Sequence, residues 1–259
     1  MTEIRLFSAP PASTKITQLY AHLELFSEGD PPHHTLFVMG GAPPISLEAL
    51  ALASDHATAH NQLLLVDPPV DVQNRFRLDG EVAALFTGAP RAVGLPIMQT
   101  QPGGVAHVRI GEHFLDIYAH GGVQSGGNIV VLPALGILCG GAFASAVGLP
   151  AVAPNSDGSA ELETLRLLAR LVKQRPLQLY IPQVGALCED GVEVMRRLAA
   201  DVAYVHGLRR VIPALAQRND GLEHALEMAD SLLPEGRRSA FARQCHQTNV
   251  QNMLTYTPY

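Results

Sequence analysis

The sequence predicts an α/β (α+β) protein in which four layers stack as an αββα sandwich. Strand-like runs dominate residues 35–140, with one helical segment between them. Helical patterns surround a single strand after residue 160. Runs of strands in both halves, each with neighbouring helices, are typical of two packed sheets that helices cover on their outer faces. No linker or low-complexity stretch divides the chain, so a single domain over 1–259 is expected.

The first part of the chain reads as three buried strands and one helix. The run TLFVMGG at 35–41 predicts a short strand that ends at two glycines. Ser46 is suited to cap a helix over 47–60. Two further strands are predicted at 62–69, where two prolines stop the strand, and at 81–88.

Two β-hairpins are predicted next. Apolar and polar residues alternate over 105–120 as they do in two antiparallel strands, and Gly111 supplies the turn between them. The segment 128–141 repeats this form with a turn at 133–136.

The last part of the chain is mainly helical. Leucines on one stripe predict a helix over 160–174, and a strand follows at 177–183. A second helix is predicted over 191–206, with Asp190 as its N-cap and Gly207 as the residue that ends it. The tail, from 221 to about 245, is expected to form an amphipathic helix.

Charge and composition exclude several classes of partner. The net charge of −6 and pI near 6 argue against nucleic acid, which requires a basic surface. No apolar run approaches about 20 residues, so no membrane-spanning helix is expected. The N-terminus does not resemble a secretory signal, and three widely spaced cysteines suggest no disulfide framework, so a cytoplasmic location is expected.

Arginines and histidines outside any motif are first assigned to ordinary structural positions. Three arginine pairs, each near acidic residues, are expected on solvated helix faces rather than in anion sites: Arg196–Arg197, Arg209–Arg210 and Arg237–Arg238.

His33 and His34 follow two prolines and are expected in a surface loop. His206 precedes Gly207, where an imidazolium would favour a helix C-terminus. Ser145 lacks the flanking glycines of a serine-hydrolase elbow.

The order of these elements over about residues 60–210 resembles the metallo-β-lactamase fold superfamily. Five short runs carry the resemblance, in family order: LLLVDPP, ALFTGAPRAVG, IYAHGGVQSGGNIVVLP, ILCGGAF and, more weakly, YIPQVGAL. The resemblance implies the four-layer αββα sandwich of that superfamily. It also implies metal ligands at the ends of these strands.

Most of the implied metal ligands are replaced in this chain. Thr87 matches the first residue of the family's Thr-His-x-His-x-Asp-His motif, and His120 matches the next histidine. The other six ligand positions fall on Gly88, Pro90, Ala92, Val93, Gly141 and Val184. A catalytic zinc needs about three protein donors and an open position for water. The resemblance therefore implies that metal-dependent catalysis is lost and that no cofactor is expected.

A single zinc is the alternative for the metal. His56 and His60 lie four residues apart, so on a helix they would share one face beside Asp55. No third ligand can be named, and an exposed helix end is the competing interpretation of this pair.

Two functions remain open, and whether the chain is an enzyme is left undecided. The first is a non-catalytic member that binds a small molecule or a protein in the old groove, lined by Thr87, Arg91, His120, Ser125, Asn128 and Gln183. The alternative is a hydrolase of an ester, lactone or thioester around His120, with Cys139, Arg91, Gln99 or Gln183, or with a metal at His56 and His60. Cys139 follows two apolar residues, which favours a buried inert thiol over a nucleophile. A homodimer built on the C-terminal segment is a further hypothesis.

Overall fold

The computed structural model describes residues 15–21, 23–39, 63–67, 82–86, 104–110, 112–119, 128–154, 156–218 and 221–256. Two five-stranded sheets and a set of helices make up this part of the chain. The helix predicted over 47–60 lies outside it.

The first sheet contains the N-terminal strands in chain order. Its strands are β1 (Lys15–Tyr20), β2 (Leu23–Glu28), β3 (His33–Met39), β4 (Leu63–Asp67) and β5 (Val82–Phe86). The first three pair antiparallel, and β3, β4 and β5 pair parallel. The strands predicted at 35–41, 62–69 and 81–88 are confirmed, whereas β1 and β2 were not predicted.

The second sheet has the spatial order β10-β9-β8-β7-β6. Its strands are β6 (Val105–Ile110), β7 (His113–Ala119), β8 (Asn128–Leu132), β9 (Ile137–Cys139) and β10 (Leu179–Ile181). Both predicted hairpins are confirmed, because β6–β7 and β8–β9 pair antiparallel. β10 joins the edge parallel to β9, so the carboxyl ends of these two strands lie together.

The helices follow the second sheet. They are α1 (Ser159–Gln174), α2 (Gly191–Gln217), α3 (Leu222–Ala229), a 3-10 turn (Asp230–Leu232) and α4 (Ala240–Leu254). None of the helices in the described ranges combines the length and the hydrophobicity needed to cross a bilayer.

Two hydrophobic clusters bind the layers together. The first lies between the sheets and includes Leu25 and Leu36 from one sheet and Val130 and Leu132 from the other. Side chains alternate along a strand, so Ile129 and Val131 of β8 point to the other face of the sheet from Val130 and Leu132. There they pack with the helices in the second cluster. Three of the four predicted layers are thus present in the described residues, in the order sheet, sheet, helices.

The predicted end of α2 at Gly207 is wrong. Asp190 does cap the helix, since its side chain accepts a hydrogen bond from the Val192 N–H at 2.8 Å. The helix then continues to Gln217, and Pro213 lies inside it. Burial of Gly207 itself and of apolar residues beyond it outweighs the low helix propensity of glycine. His206 therefore lies within the helix and not at its C-terminus.

The predicted C-terminal helix is interrupted. α3 ends at Ala229, and the chain passes through Pro234 and a left-handed Gly236 (φ +83°) before α4 begins. Proline cannot donate to a continuing helix, so the chain turns here. Ser239 then caps α4 by accepting from the Ala242 N–H at 3.2 Å.

Gly136 in the β8–β9 turn gives a test of the hairpin. Its φ of +63° is left-handed, and a Cβ at this position would lie 2.6 Å from the Pro176 carbonyl oxygen. We expect Gly136→Ala to lower the free energy of unfolding by about 2–4 kcal/mol in urea denaturation, through strain and overpacking.

Gly221→Ala is the matched control for this measurement. Gly221 has a φ of −70° and no described atom within 4 Å of a built Cβ, so we expect a change within about 0.5 kcal/mol. Equal stability of the two variants would contradict the placement of the turn.

Candidate functional site

The candidate site lies where β9 and β10 end. Residues 140–148 after β9 form the first site loop, and residues 182–188 after β10 form the second. The Gln183 N–H donates to the Gly141 carbonyl at 2.8 Å, which joins the two loops directly. Gly141 and Val184, two of the implied ligand positions, are therefore carried on neighbouring loops at one edge of the sheet.

These two positions do not fit a metal ion. Gly141 has no side chain, and Val184 is a buried apolar residue. Within the described ranges, no group of three or more His, Cys, Asp or Glu side chains is placed to hold a metal. A zinc ion requires nitrogen, sulfur or carboxylate donors, and this edge of the sheet supplies none at either position.

Ser145 fixes the first site loop to the second. Its hydroxyl donates to the Val184 carbonyl at 2.6 Å and accepts from the N–H groups of Val147 at 3.1 Å and Gly148 at 2.9 Å. A hydroxyl has one donor and two acceptor positions, so these three hydrogen bonds saturate it. Ser145 is buried and structural, in agreement with the missing serine-hydrolase elbow.

His34 is buried against the second site loop, and its predicted place in a surface loop is wrong. Its Nε2 lies 2.6 Å from the Gly185 carbonyl, and its Nδ1 lies 2.8 Å from Ser27 Oγ. Because a carbonyl only accepts, Nε2 carries the proton and Nδ1 accepts from the serine. Burial lowers the pKa of His34, which keeps the ring neutral. Both ring nitrogens are engaged, so neither serves as a metal ligand.

Backbone hydrogen bonds join the second site loop to the first sheet. The His34 N–H donates to the Gln183 carbonyl at 2.9 Å, and the Gly185 N–H donates to Pro32 at 2.8 Å. An isolated β-bridge pairs His33 with Val184. The start of β3 therefore positions the loop that carries the last implied ligand position.

A buried ion pair holds the first site loop from the helical side. Ala144 is left-handed with a φ of 50°, which is uncommon for a residue other than glycine. Its N–H donates to Asp201 Oδ2 at 2.7 Å, and the other oxygen of Asp201 pairs with the guanidinium of Arg237. Arg237 also donates to the Gly148 carbonyl at 3.3 Å. Both charged side chains are buried, so each requires the other.

Arg197 connects α2 to the second site loop. Its guanidinium donates to the Ala186 carbonyl at 3.2 Å and to Glu193 at 2.9 Å. Hydrogen bonds from Arg196 and Arg197 lower the pKa of Glu193 to about 2. The expected solvated positions of Arg197 and Arg237 are thus wrong, since both are buried.

Cys139 and Gln183 are the predicted site residues whose side chains the structure describes. Cys139 has no exposed surface and lies in the cluster between the sheets, so the interpretation as a buried thiol is confirmed. Gln183 is buried, and its backbone links the two site loops. Asn128 begins β8, but its side chain lies outside the described part. The remaining predicted site residues lie outside it altogether: His56, His60, Thr87, Arg91, Gln99, His120 and Ser125.

Sequence reasoning missed four residues that shape the site: His34, Ser145, Asp201 and Arg237. Three of them come from segments far from the loops in sequence, and each acts through a long-range hydrogen bond. The one available signal was an aspartate on the apolar side of α2, beside the buried Leu198 and Val205. A charge in that position requires a partner, because a lone buried carboxylate is costly.

Comparison with known proteins bears on the fold. No protein-family model matches the sequence, and neither does any curated protein. The structure of the stereoselective inverting sec-alkylsulfatase Pisa1 from Pseudomonas sp. is 15% identical, with a TM-score of 0.55 over 93% of this chain. This chain spans 50% of the length of that structure.

Two further structures are similar at lower scores. A β-lactamase domain protein from Burkholderia ambifaria is 14% identical over 96% of this chain and 88% of its own, with a TM-score of 0.47. A metallo-β-lactamase from Pontibacter korlensis is 15% identical over 74% of this chain and 99% of its own, with a TM-score of 0.38.

Replacing Arg237 tests whether the ion pair holds the site loops. Arg237→Met leaves Asp201 buried without its partner, which we expect to lower the free energy of unfolding by about 3–5 kcal/mol at about pH 8. Burial already raises the pKa of Asp201 to about 6, and loss of the guanidinium raises it further. A carboxyl whose pKa is raised in the folded state stabilises the fold at low pH, and this contribution is lost as the pH rises. The deficit of the variant should therefore be smaller at about pH 5.

Arg238→Met is the matched control for this experiment. Arg238 is exposed and lies 3.5 Å from Asp230, so we expect a change within about 0.5 kcal/mol at either pH. A deficit for Arg237→Met that is equal at both pH values, or no larger than that of the control, would contradict the role of the pair.

Proposed function

The chain has the metallo-β-lactamase fold, and from this premise we propose that it works without the dinuclear metal centre and binds a small molecule or a protein. The observation that carries the proposal is the pair of positions at the ends of β9 and β10. Gly141 and Val184 stand there without donor atoms in their side chains. They are joined through the backbone of Gln183 and the hydroxyl of Ser145.

The identities at the other implied ligand positions support the same proposal. These positions carry Gly88, Pro90, Ala92 and Val93, none of which coordinates a divalent cation through its side chain. His120 alone supplies an imidazole. Without a metal, a water molecule keeps a pKa near that of bulk water, and no hydroxide nucleophile forms at neutral pH.

Protein contacts fix the backbone of the two site loops, and this supports a role in binding. Ser145, His34 and the Asp201–Arg237 pair engage backbone groups of both loops. Loops that are already ordered lose less conformational entropy when a ligand binds to them.

The proposed ligand contacts are the groove residues of the sequence prediction: Thr87, Arg91, His120, Ser125, Asn128 and Gln183. A cytoplasmic location and a homodimer built on the C-terminal segment remain predictions. The proposal excludes nucleic acid as the partner, because the chain carries a net charge of −6.

Metal content tests the proposal. We expect the purified chain, incubated with Zn²⁺, Mn²⁺ or Fe²⁺ and then desalted, to retain well under one ion per chain in elemental analysis. The physical reason is that a stable site needs about three donors. His120→Ala is the matched control, since it removes the retained imidazole and identifies any ion bound there. Two ions per chain at full occupancy would overturn the proposal.

A substrate screen separates binding from the hydrolase hypothesis. We expect no turnover of esters, lactones or thioesters by the wild-type chain. Turnover that His120→Ala abolishes would establish the hydrolase instead. We expect ligand binding to persist in a chelator. Ligand-observed NMR measures this binding, and Arg91→Gln is the variant that tests the proposed groove.

A further inference from the structure

A second candidate site lies on α2, away from the site loops. A groove of about 540 Å³ opens on this helix, lined by Ala203, His206, Gly207, Arg209, Arg210 and Leu232. All but Leu232 come from two turns of α2, and Leu232 comes from the 3-10 turn that packs against them. Nothing in the proposed function uses this surface.

Small residues form the floor of this groove. Ala203 and Gly207 are four apart, so they lie on the same face of the helix. A Cβ on Gly207 would lie 2.8 Å from Leu232 Cδ2, so the absence of a side chain permits this close approach. The result is a floor without bulky groups and one apolar wall.

Basic side chains form the rim of the groove. His206, Arg209 and Arg210 occupy positions i, i+3 and i+4, which are neighbours on a helix surface. Arg209 uses one nitrogen to bind Asp157 at 3.0 Å, which leaves further N–H groups of its guanidinium for a ligand. No hydrogen bond or ion pair joins the side chain of Arg210 or of His206 to another described residue.

Asp157 forms an ion pair with one cation of this rim, Arg209, at 3.0 Å. Asp157 also accepts hydrogen bonds from the N–H and the hydroxyl of Ser159, which hold its carboxylate in place beside Arg209. The guanidinium of Arg210 is the charge of this rim that no described acid pairs with, and the imidazole of His206 lies one helical turn before it.

We propose that this groove binds a phosphorylated small molecule. Arginine donates two parallel hydrogen bonds to phosphate oxygens, and such charge-assisted bonds are among the strongest in proteins. Three donor groups match the three terminal oxygens of a phosphate monoester, whereas a carboxylate offers two. The Leu232 wall fits an apolar substituent on the ester.

Titration calorimetry of the full chain with phenyl phosphate and with pyrophosphate, at constant ionic strength in chloride, tests this site. We expect saturable binding at one site per chain, with phenyl phosphate using the Leu232 wall. Arg210→Gln should weaken binding about tenfold or more, because it removes a charge-assisted contact. Ala203→Leu should weaken it similarly by filling the floor while leaving every charge in place.

Arg166→Gln on α1 is the control, since Arg166 is exposed and does not line the groove. It should bind both probes as the wild-type chain does, and circular dichroism should show all three variants folded. No saturable binding of either probe would overturn the proposal. Equal weakening by Arg166→Gln and Arg210→Gln, or wild-type affinity in Ala203→Leu, would overturn it as well. None of these outcomes bears on the metal content of the chain, so this test is separate from the test of the proposed function.

Discussion

The buried ion pair between Asp201 and Arg237 is the contact on which the site depends. Taking two charges out of water costs several kcal/mol per ion, so the pair is tolerated only where further hydrogen bonds complete it. Here those bonds go to the Ala144 N–H, the Gly148 carbonyl and the Arg197 carbonyl. The hydrogen bonds that complete this buried pair thus fix the backbone of the first site loop, including the left-handed Ala144.

Hydrogen bonds to backbone carbonyls also hold the two site loops at the edge of the sheet where the resemblance implies metal ligands. Metal binding commonly supplies folding free energy to the segments that provide the ligands. In this chain Ser145 joins the two loops, His34 holds the second loop to β3, and Arg197 holds it to α2. Each of these contacts ends on a backbone carbonyl, so the geometry of the loops is set without donor side chains at Gly141 and Val184.

Local pattern predicted the regular elements well and the site poorly. The β6–β7 and β8–β9 hairpins and α1 follow from alternation, turn glycines and a leucine stripe, which are short-range signals. Local propensity predicts that α2 ends at Gly207, whereas burial of apolar residues in the next two turns extends the helix to Gln217. The structural roles of His34 and Ser145 do not follow from local pattern, because their partners, Gly185 and Val184, are distant in sequence. No local pattern reports contacts of that kind.

Hydrogen–deuterium exchange of the two site loops, in a chelator and in excess Zn²⁺, tests the central claim most directly. Amide protection over 140–148 and 182–188 reports the stability of the loops themselves. If protein contacts alone hold them, protection is high in the chelator and unchanged by zinc. Protection that appears only with zinc would contradict this account, because it would show that a bound metal holds the two loops.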